Sequence, residues 1–115
     1  MSDGSFEVVL LEEAREYVFS LTLQAQKKIY YNIQKVSGGV KDSELFKKLD
    51  GSDDIWELRT KYDGVEHRLL AFWDRTTNSL VVATHGFAKK RWGEPHKEIA
   101  KAEEIRRKYY ESKDE

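Results

Sequence analysis

Apolar and polar residues alternate most clearly between Ile55 and Lys90, where the pattern predicts three β-strands joined by two tight turns. The dipeptide Asp63-Gly64 separates the first two strands. It favours a two-residue hairpin, because a type I′ turn needs φ > 0 at both central positions. The second turn, at residues 75–78, is compatible with a loop of either two or four residues. We therefore expect a three-stranded antiparallel meander.

The first hairpin places two arginines side by side. With a two-residue loop, Arg59 lies opposite Arg68 on the same face, with Cβ atoms about 5 Å apart. Like charges in directly opposite positions destabilise a sheet, and an anion between the two guanidinium groups would offset this repulsion. Phosphate suits the geometry of two such groups. The alternative is that both arginines extend into water or pair with Glu57 and Glu66.

The second turn decides which residues share the face of the arginines. Loops of two and four residues both place His85 and Phe87 there, whereas a three-residue loop would send them to the other side. A single histidine in a strand is more often structural than catalytic, and an aromatic residue at a strand end more often belongs to the core. Basic residues follow just beyond the strand: Lys89, Lys90 and Arg91.

The residues that flank the meander predict a strand and several helices. Phe6 to Leu10 reads as a strand, and Glu12 to Ser20 and Leu21 to Ser37 predict two helices that form an αα-hairpin. Ser43 to Leu49 predicts one or two helical turns, and Pro95 to Tyr110 predicts a closing helix. The order β-αα-(short α)-βββ-α indicates an α+β fold with a mostly antiparallel sheet. Because the last two meander strands are apolar on both faces, we expect helices to cover part of the second face as well.

Length and composition restrict the class of protein. A chain of 115 residues fits one domain, which we place at residues 6–110 between a disordered start, 1–5, and a charged tail, 111–115. Cysteine is absent, which is compatible with a reducing cytoplasm, and the three histidines lack metal-ligand spacing, so we expect no metal or cofactor. We see no apolar run long enough to span a bilayer and no secretory leader.

The net charge of −1 argues by itself against a nucleic-acid-binding protein. The distribution of charged residues along the chain weakens this argument. Residues 55–110 carry 12 Lys or Arg against 8 Asp or Glu, whereas residues 1–54 carry 7 against 10. The cationic excess coincides with the meander and the last helix, although ordinary surface scatter would also explain it.

Several of these features together resemble the RelE/ParE superfamily of bacterial toxins, and most closely its HigB-like, phage-derived branch. They are the order of the elements, Leu58-Arg59 followed by Arg68, and the segment HGFAKKRWGEPHKEIAKAEEIRRKY. In that branch the third meander strand ends in a motif similar to Gly86–Lys90, and a proline and a helix with an E-I-x-x-A motif follow. The resemblance extends from Phe6 to about Tyr110 and implies a RelE-like fold.

The resemblance implies a toxin of a type II toxin–antitoxin pair, and many such toxins are ribosome-dependent endoribonucleases that cut mRNA. The RNA 2′-OH attacks the adjacent phosphate without a metal, so the chemistry needs cations around the phosphate and groups that move protons. By position, Arg59 and Arg68 would clamp the phosphate, Lys89 or Lys90 would add positive charge, and His85 would act as base or acid. Lys61 and His96 are weaker candidates for proton transfer. The implied RNA-binding residues are Lys61, Phe87, Arg91 and His96, with Phe87 stacking on a base.

A second hypothesis is that the protein is not a nuclease. The ParE branch shares the fold but targets DNA gyrase, so a gyrase inhibitor or a domesticated phage-derived binding protein is the alternative. Both hypotheses allow a cognate antitoxin, which would lay a helix or strand over the cationic surface or over the αα-hairpin.

Overall fold

The computed structural model describes residues 4–77, 79–89 and 95–113. Five strands form one sheet in the order β1-β5-β4-β3-β2, in which β1 runs parallel to β5 and the other neighbours are antiparallel. This α+β architecture confirms the predicted fold class. The elements along the chain are β1 Glu7–Leu10, α1 Glu12–Phe19, α2 Leu23–Ser37, β2 Phe46–Lys48, β3 Trp56–Tyr62, β4 Val65–Trp73, β5 Leu80–Ala88 and α3 Pro95–Lys113.

The β3–β4 hairpin has the predicted register. Asp63 and Gly64 form the turn with φ values of 51° and 77°, as a type I′ turn requires. Arg59 is consequently the direct partner of Arg68 in the antiparallel ladder.

The β4–β5 connection differs from both predicted loop lengths. The backbone N–H of Asp74 donates to the carbonyl of Leu80 at 2.9 Å, so the loop between these two residues has five residues, 75–79. A loop of odd length would by itself turn His85 and Phe87 to the opposite face of the sheet.

A β-bulge in β5 restores the predicted face. Leu70 pairs with His85, but the next residue of β4, Ala71, pairs with Ala83, so Thr84 is an extra residue in β5. Thr84 is fully buried, and its hydroxyl donates to the carbonyl of Leu70 at 3.2 Å. The bulge returns the end of β5 to the face of the arginines. The predicted loop length was wrong, and the predicted sidedness is confirmed.

Helices cover both faces of the sheet, as the apolar strands β4 and β5 predicted. Gly86 of β5 lets α1 pack closely, since a Cβ atom there would lie 2.6 Å from the ring of Tyr17. The face under α1 and α2 includes Ala14, Val18, Ile29, Ile33, Val36, Leu58, Leu69 and Val81. The face under α3 includes Leu70, Phe72, Val82, Ala102 and Tyr110.

Two boundaries depart from the sequence-based expectation. The predicted helical segment Ser43 to Leu49 is wrong at its centre, because Phe46–Lys48 forms the edge strand β2, and the ring of Phe46 stacks on Trp56 with centroids 4.7 Å apart. Helix α3 continues beyond the predicted end to Lys113, whose ammonium group pairs with Asp74 at 3.0 Å. None of the helices in the described ranges has the length and apolar character needed to cross a membrane.

Candidate functional site

The candidate site lies on the sheet face that α3 covers, at the end where β3 finishes and β4 begins. Arg59 and Arg68 project from this face next to each other, because they are ladder partners. The two guanidinium groups differ in accessibility. The side chain of Arg59 is 30% exposed, and that of Arg68 is 6% exposed. The predicted juxtaposition is therefore present, with one accessible arginine and one buried arginine.

Two glutamates lie between the arginines. An oxygen of Glu57 is 2.6 Å from Nη1 of Arg68 and 3.4 Å from Nε of Arg59. An oxygen of Glu66 is 3.0 Å from Nη2 of Arg68 and 3.9 Å from Nη2 of Arg59. The structure thus contains the alternative pairing that the sequence left open, and the anions between the arginines are carboxylates of the protein itself. We call Glu57, Arg59, Glu66 and Arg68 the arginine cluster.

The two carboxylates of the arginine cluster have unequal environments. The side chain of Glu57 is 7% exposed, whereas that of Glu66 is 44% exposed. The hydrogen bond from Arg68 is the main cause that lowers the pKa of Glu66, so Glu66 is ionised at neutral pH. Nε of Arg68 is buried and has no hydrogen-bond partner among the residues that the structure describes. Within the described part of the chain, the cluster therefore combines an unpaired donor with a carboxylate that reaches solvent.

Further cations lie around Glu66. Lys89, just beyond β5, donates its backbone N–H to the carbonyl of Glu66 at 2.8 Å, and its charge also lowers the pKa of Glu66. Lys61 is the ladder partner of Glu66. Lys61, Lys89 and His96, which is in the first turn of α3, are exposed. The predicted site residues Lys90 and Arg91 lie outside the described residues.

His85 lies inside the protein rather than at its surface. It is 2% exposed, its Nδ1 is 2.9 Å from the hydroxyl of Thr84, and its Nε2 is 3.0 Å from a carboxylate oxygen of Glu98 on α3. Burial lowers the pKa of His85 more than the bond to Glu98 raises it. The imidazole is thus enclosed between β5 and α3, and its predicted role as base or acid stays a prediction.

Phe87 also has a more structural environment than predicted. It is the ladder partner of Arg68, and its ring is half-buried and stacks on His85 with centroids 5.9 Å apart. The ring also packs against the core beneath α3. Phe87 therefore lies next to Arg68 in the sheet, and stacking on a base stays a prediction.

A second buried charge, not among the residues predicted from the sequence, lies directly after the last residue of β4. The side chain of Asp74 is 0% exposed. One of its oxygens accepts from the Thr76 hydroxyl at 2.6 Å and from the backbone N–H groups of Thr76 and Thr77. The other accepts from the Tyr109 hydroxyl at 2.6 Å and from Lys113 at 3.0 Å. Burial would raise the pKa of Asp74, but these hydrogen bonds hold it well below its usual value. We call Asp74 and its partners the aspartate cluster. Its sequence signal is an Asp at the start of a loop, followed by Thr-Thr.

Solved structures with the same fold are toxins of the RelE type. The structure of a doubly substituted E. coli toxin RelE in the free state aligns with a TM-score of 0.60 and 14% identity, over 84% of this chain and 96% of that chain. A chain of the intact E. coli RelBE toxin–antitoxin complex aligns with a TM-score of 0.58 and 15% identity, over 76% and 100%. A chain of the archaeal RelE–RelB complex from Pyrococcus horikoshii gives 0.51 and 13%, over 76% and 98%. The protein therefore has the fold of RelE toxins.

The sequence identifies a smaller group of proteins than the shared fold does. The family described as phage-derived protein Gp49-like (DUF891) matches residues 16–107, and the chain belongs to it. No curated protein sequence matches the chain.

Proposed function

We propose that this protein is the toxin of a type II toxin–antitoxin pair, in the HigB-like branch, and that it cleaves mRNA on the ribosome in the cytoplasm. The observation that carries the proposal is the pair of adjacent arginines, Arg59 and Arg68, at a partly exposed end of the sheet. Exposed Lys61 and Lys89 flank this pair. Membership in a phage-derived family and the RelE fold support the same function.

The arginine cluster suits the charge that develops during RNA cleavage. When the 2′-OH attacks the adjacent phosphorus, it loses its proton to water, the P–O5′ bond breaks, and the departing 5′ oxygen takes up a proton from water, which leaves a 2′,3′-cyclic phosphate. During this step negative charge accumulates on the equatorial oxygens. Arg59 contacts the phosphate from the exposed side, Arg68 holds it from the buried side, and Lys89 adds a third positive charge. Guanidinium groups bind such oxygens in pairs, which fixes the orientation of the phosphate as well as its charge. The 2′-OH requirement restricts cleavage to RNA.

A protein antitoxin is the second part of the proposal. Two of the structures with the same fold are RelE toxins in complex with RelB. In this protein the outer side of the αα-hairpin exposes large apolar side chains: Phe19 is 67% exposed, Leu23 is 58% exposed and Tyr31 is 61% exposed. Exposed apolar groups of this kind suit an amphipathic helix of a partner.

The proposal is tested by induced expression followed by mapping of new RNA 5′ ends on ribosomes. We expect wild-type protein to produce such ends within coding sequences, and Arg59→Gln to reduce them about 100-fold, as loss of a transition-state contact does. Arg107→Gln is the matched control, since it removes an exposed guanidinium of α3 that pairs with Glu104 and Glu111.

Arg68→Ala gives a second arm. We expect it to abolish cleavage, and circular dichroism must show that the fold survives, because Arg68 is buried. Absence of new 5′ ends with wild-type protein would contradict the nuclease proposal. DNA-damage signalling in its place would indicate a gyrase inhibitor.

A further inference from the structure

The two positive charges of the arginine cluster are balanced by its two negative charges before any substrate binds. Each of its two carboxylates contacts both guanidinium groups, at 2.6 to 3.9 Å. A phosphodiester that enters the cluster adds a negative charge next to Glu57 and Glu66, and like charges this close repel strongly. Binding of RNA is therefore favourable only if one carboxylate leaves.

The two carboxylates differ in what it costs to release them. Glu57 is 7% exposed and lies 2.6 Å from the buried Arg68, so its departure would leave a buried charge without its closest partner. Glu66 is 44% exposed, and its contact with Arg59 is long, at 3.9 Å. An exposed ion pair contributes little, and the Glu66 side chain can rotate into water. Glu66 is the carboxylate that can leave.

The donors of Arg68 show what can take its place. Nε–H and Nη2–H of a guanidinium point to the same side and form a fork that matches two oxygens of a phosphate. In the structure, Glu66 uses only one of these two donors: its oxygen accepts from Nη2, whereas Nε has no partner among the described residues. A phosphodiester has two non-bridging oxygens, one for each donor.

We propose that the Glu66 carboxylate occupies the phosphate position of the resting site, and that a phosphodiester of single-stranded RNA displaces it while Glu57 stays bound to Arg68. This inference rests on the proposed function for the identity of the anion. Glu66 is then a competing internal anion that weakens RNA binding and limits it to RNA presented at high local concentration.

The test measures binding of a 2′-O-methyl RNA oligonucleotide, which carries phosphodiesters but lacks the free 2′-OH and is not cut. Affinity is measured by calorimetry for the wild type, Glu66→Gln and Glu104→Gln. Gln at position 66 keeps an acceptor for Arg68 but removes the competing charge. We expect Glu66→Gln to bind about fivefold more tightly, the size of an exposed ion pair. Glu104→Gln changes the net charge equally at an exposed position of α3 outside the arginine cluster, and we expect no change in affinity for this variant.

The outcomes separate this inference from the proposed function. Equal affinity of the wild type and Glu66→Gln, or an equal gain in Glu104→Gln, would overturn the displacement of Glu66 even if wild-type protein cuts mRNA on ribosomes. Tighter binding by Glu66→Gln alone, together with no new 5′ ends, would support the displacement and overturn the nuclease. Competition by inorganic sulfate, weaker in wild type than in Glu66→Gln, is the expected behaviour of the same position towards a simple oxyanion.

Discussion

Two buried charges lie on one face of the sheet, Arg68 within β4 and Asp74 directly after its last residue. Every second residue from Arg68 to Asp74 lies on this face, and α3 covers the two apolar ones, Leu70 and Phe72. At one end the side chain of Asp74 is completely enclosed; one of its oxygens accepts hydrogen bonds from the loop, and the other accepts them from α3. At the other end Arg68 is buried, but its Nε has no hydrogen-bond partner within the described ranges.

The difference shows how a buried charge serves stability in one place and binding in another. A fully satisfied charge fixes its neighbours, and here the aspartate cluster attaches the last turn of α3 to the β4–β5 loop. An incompletely satisfied charge keeps capacity for a ligand. The arginine cluster has this character because Glu66 is accessible and Nε of Arg68 has no partner among the described residues.

The largest expected effect is at the aspartate cluster. Asp74→Ala removes the acceptor of two backbone N–H groups, two hydroxyls and an ammonium group, and we expect the free energy of unfolding to fall by about 3 kcal/mol. Urea denaturation measures the change. Lys113→Ala is the control, because this side chain is 39% exposed, and we expect a much smaller loss. A loss for Asp74→Ala no larger than that of the control would contradict a structural role.

The two glutamates of the arginine cluster give the next effect. We expect Glu57→Gln to lower the free energy of unfolding by about 2 kcal/mol, because Arg68 loses its buried counter-charge. Glu66→Gln should change it by about 0.5 kcal/mol or less, since Glu66 is accessible to water. Equal losses in the two variants, measured by the same denaturation experiment, would remove the distinction between a fixed and an exchangeable carboxylate.

The pH dependence of stability gives a smaller effect. It distinguishes the contribution of the histidines from the contributions of the arginine cluster and the aspartate cluster. Burial lowers the pKa of His67 and His85 below the usual 6.5, so the folded state binds protons less readily than the unfolded chain. Their contribution is fully present above about pH 6.5 and is lost as the pH falls through the folded-state values. Asp74, whose pKa is also lowered, loses its contribution only below its usual value of 3.8.

Thermal melting between pH 8 and pH 3 tests whether the contribution of the histidines is lost at a higher pH than that of Asp74. We expect a constant melting temperature above pH 7 and a decline that begins near pH 6.5. His67→Gln should weaken the first part of the decline, because Gln offers an acceptor to the Tyr17 hydroxyl, which is 2.6 Å from Nδ1 of His67, and does not titrate. A melting temperature that rises on acidification to pH 5 would show that the histidines are not held neutral.

Local signals account for the parts of the fold that the sequence predicted. Asp63-Gly64 determines the β3–β4 register by turn geometry alone, and the helical spacing of Ala25, Ile29 and Ile33 identifies the buried side of α2. The bulge at Thr84 had no local signal, because an extra residue in a buried strand leaves an apolar run unchanged. Strand β2 was mistaken for a helix, because its short apolar pattern suits either structure and pairing with β3 decides between them.

The candidate site was predicted only in part, because local signals again gave some of its features and long-range packing determined the others. Hairpin geometry placed Arg59 beside Arg68 and identified Glu57 and Glu66 as alternative partners. Sequence spacing did not show that Glu57 is buried while Glu66 is accessible, because this depends on long-range packing. Burial of His85 under α3 was likewise invisible, since its partner Glu98 belongs to a separate element.

The most direct test of the central claim is to observe the guanidinium groups while a phosphodiester binds. In a titration of isotope-labelled protein with the 2′-O-methyl oligonucleotide, followed by NMR, we expect the Nε–H resonances of Arg59 and Arg68 to shift most. The indole N–H resonances of Trp56 and Trp73, near the other end of the sheet, should stay in place. Binding that shifts the indoles and leaves both arginine resonances unchanged would contradict a phosphate site at the arginine cluster.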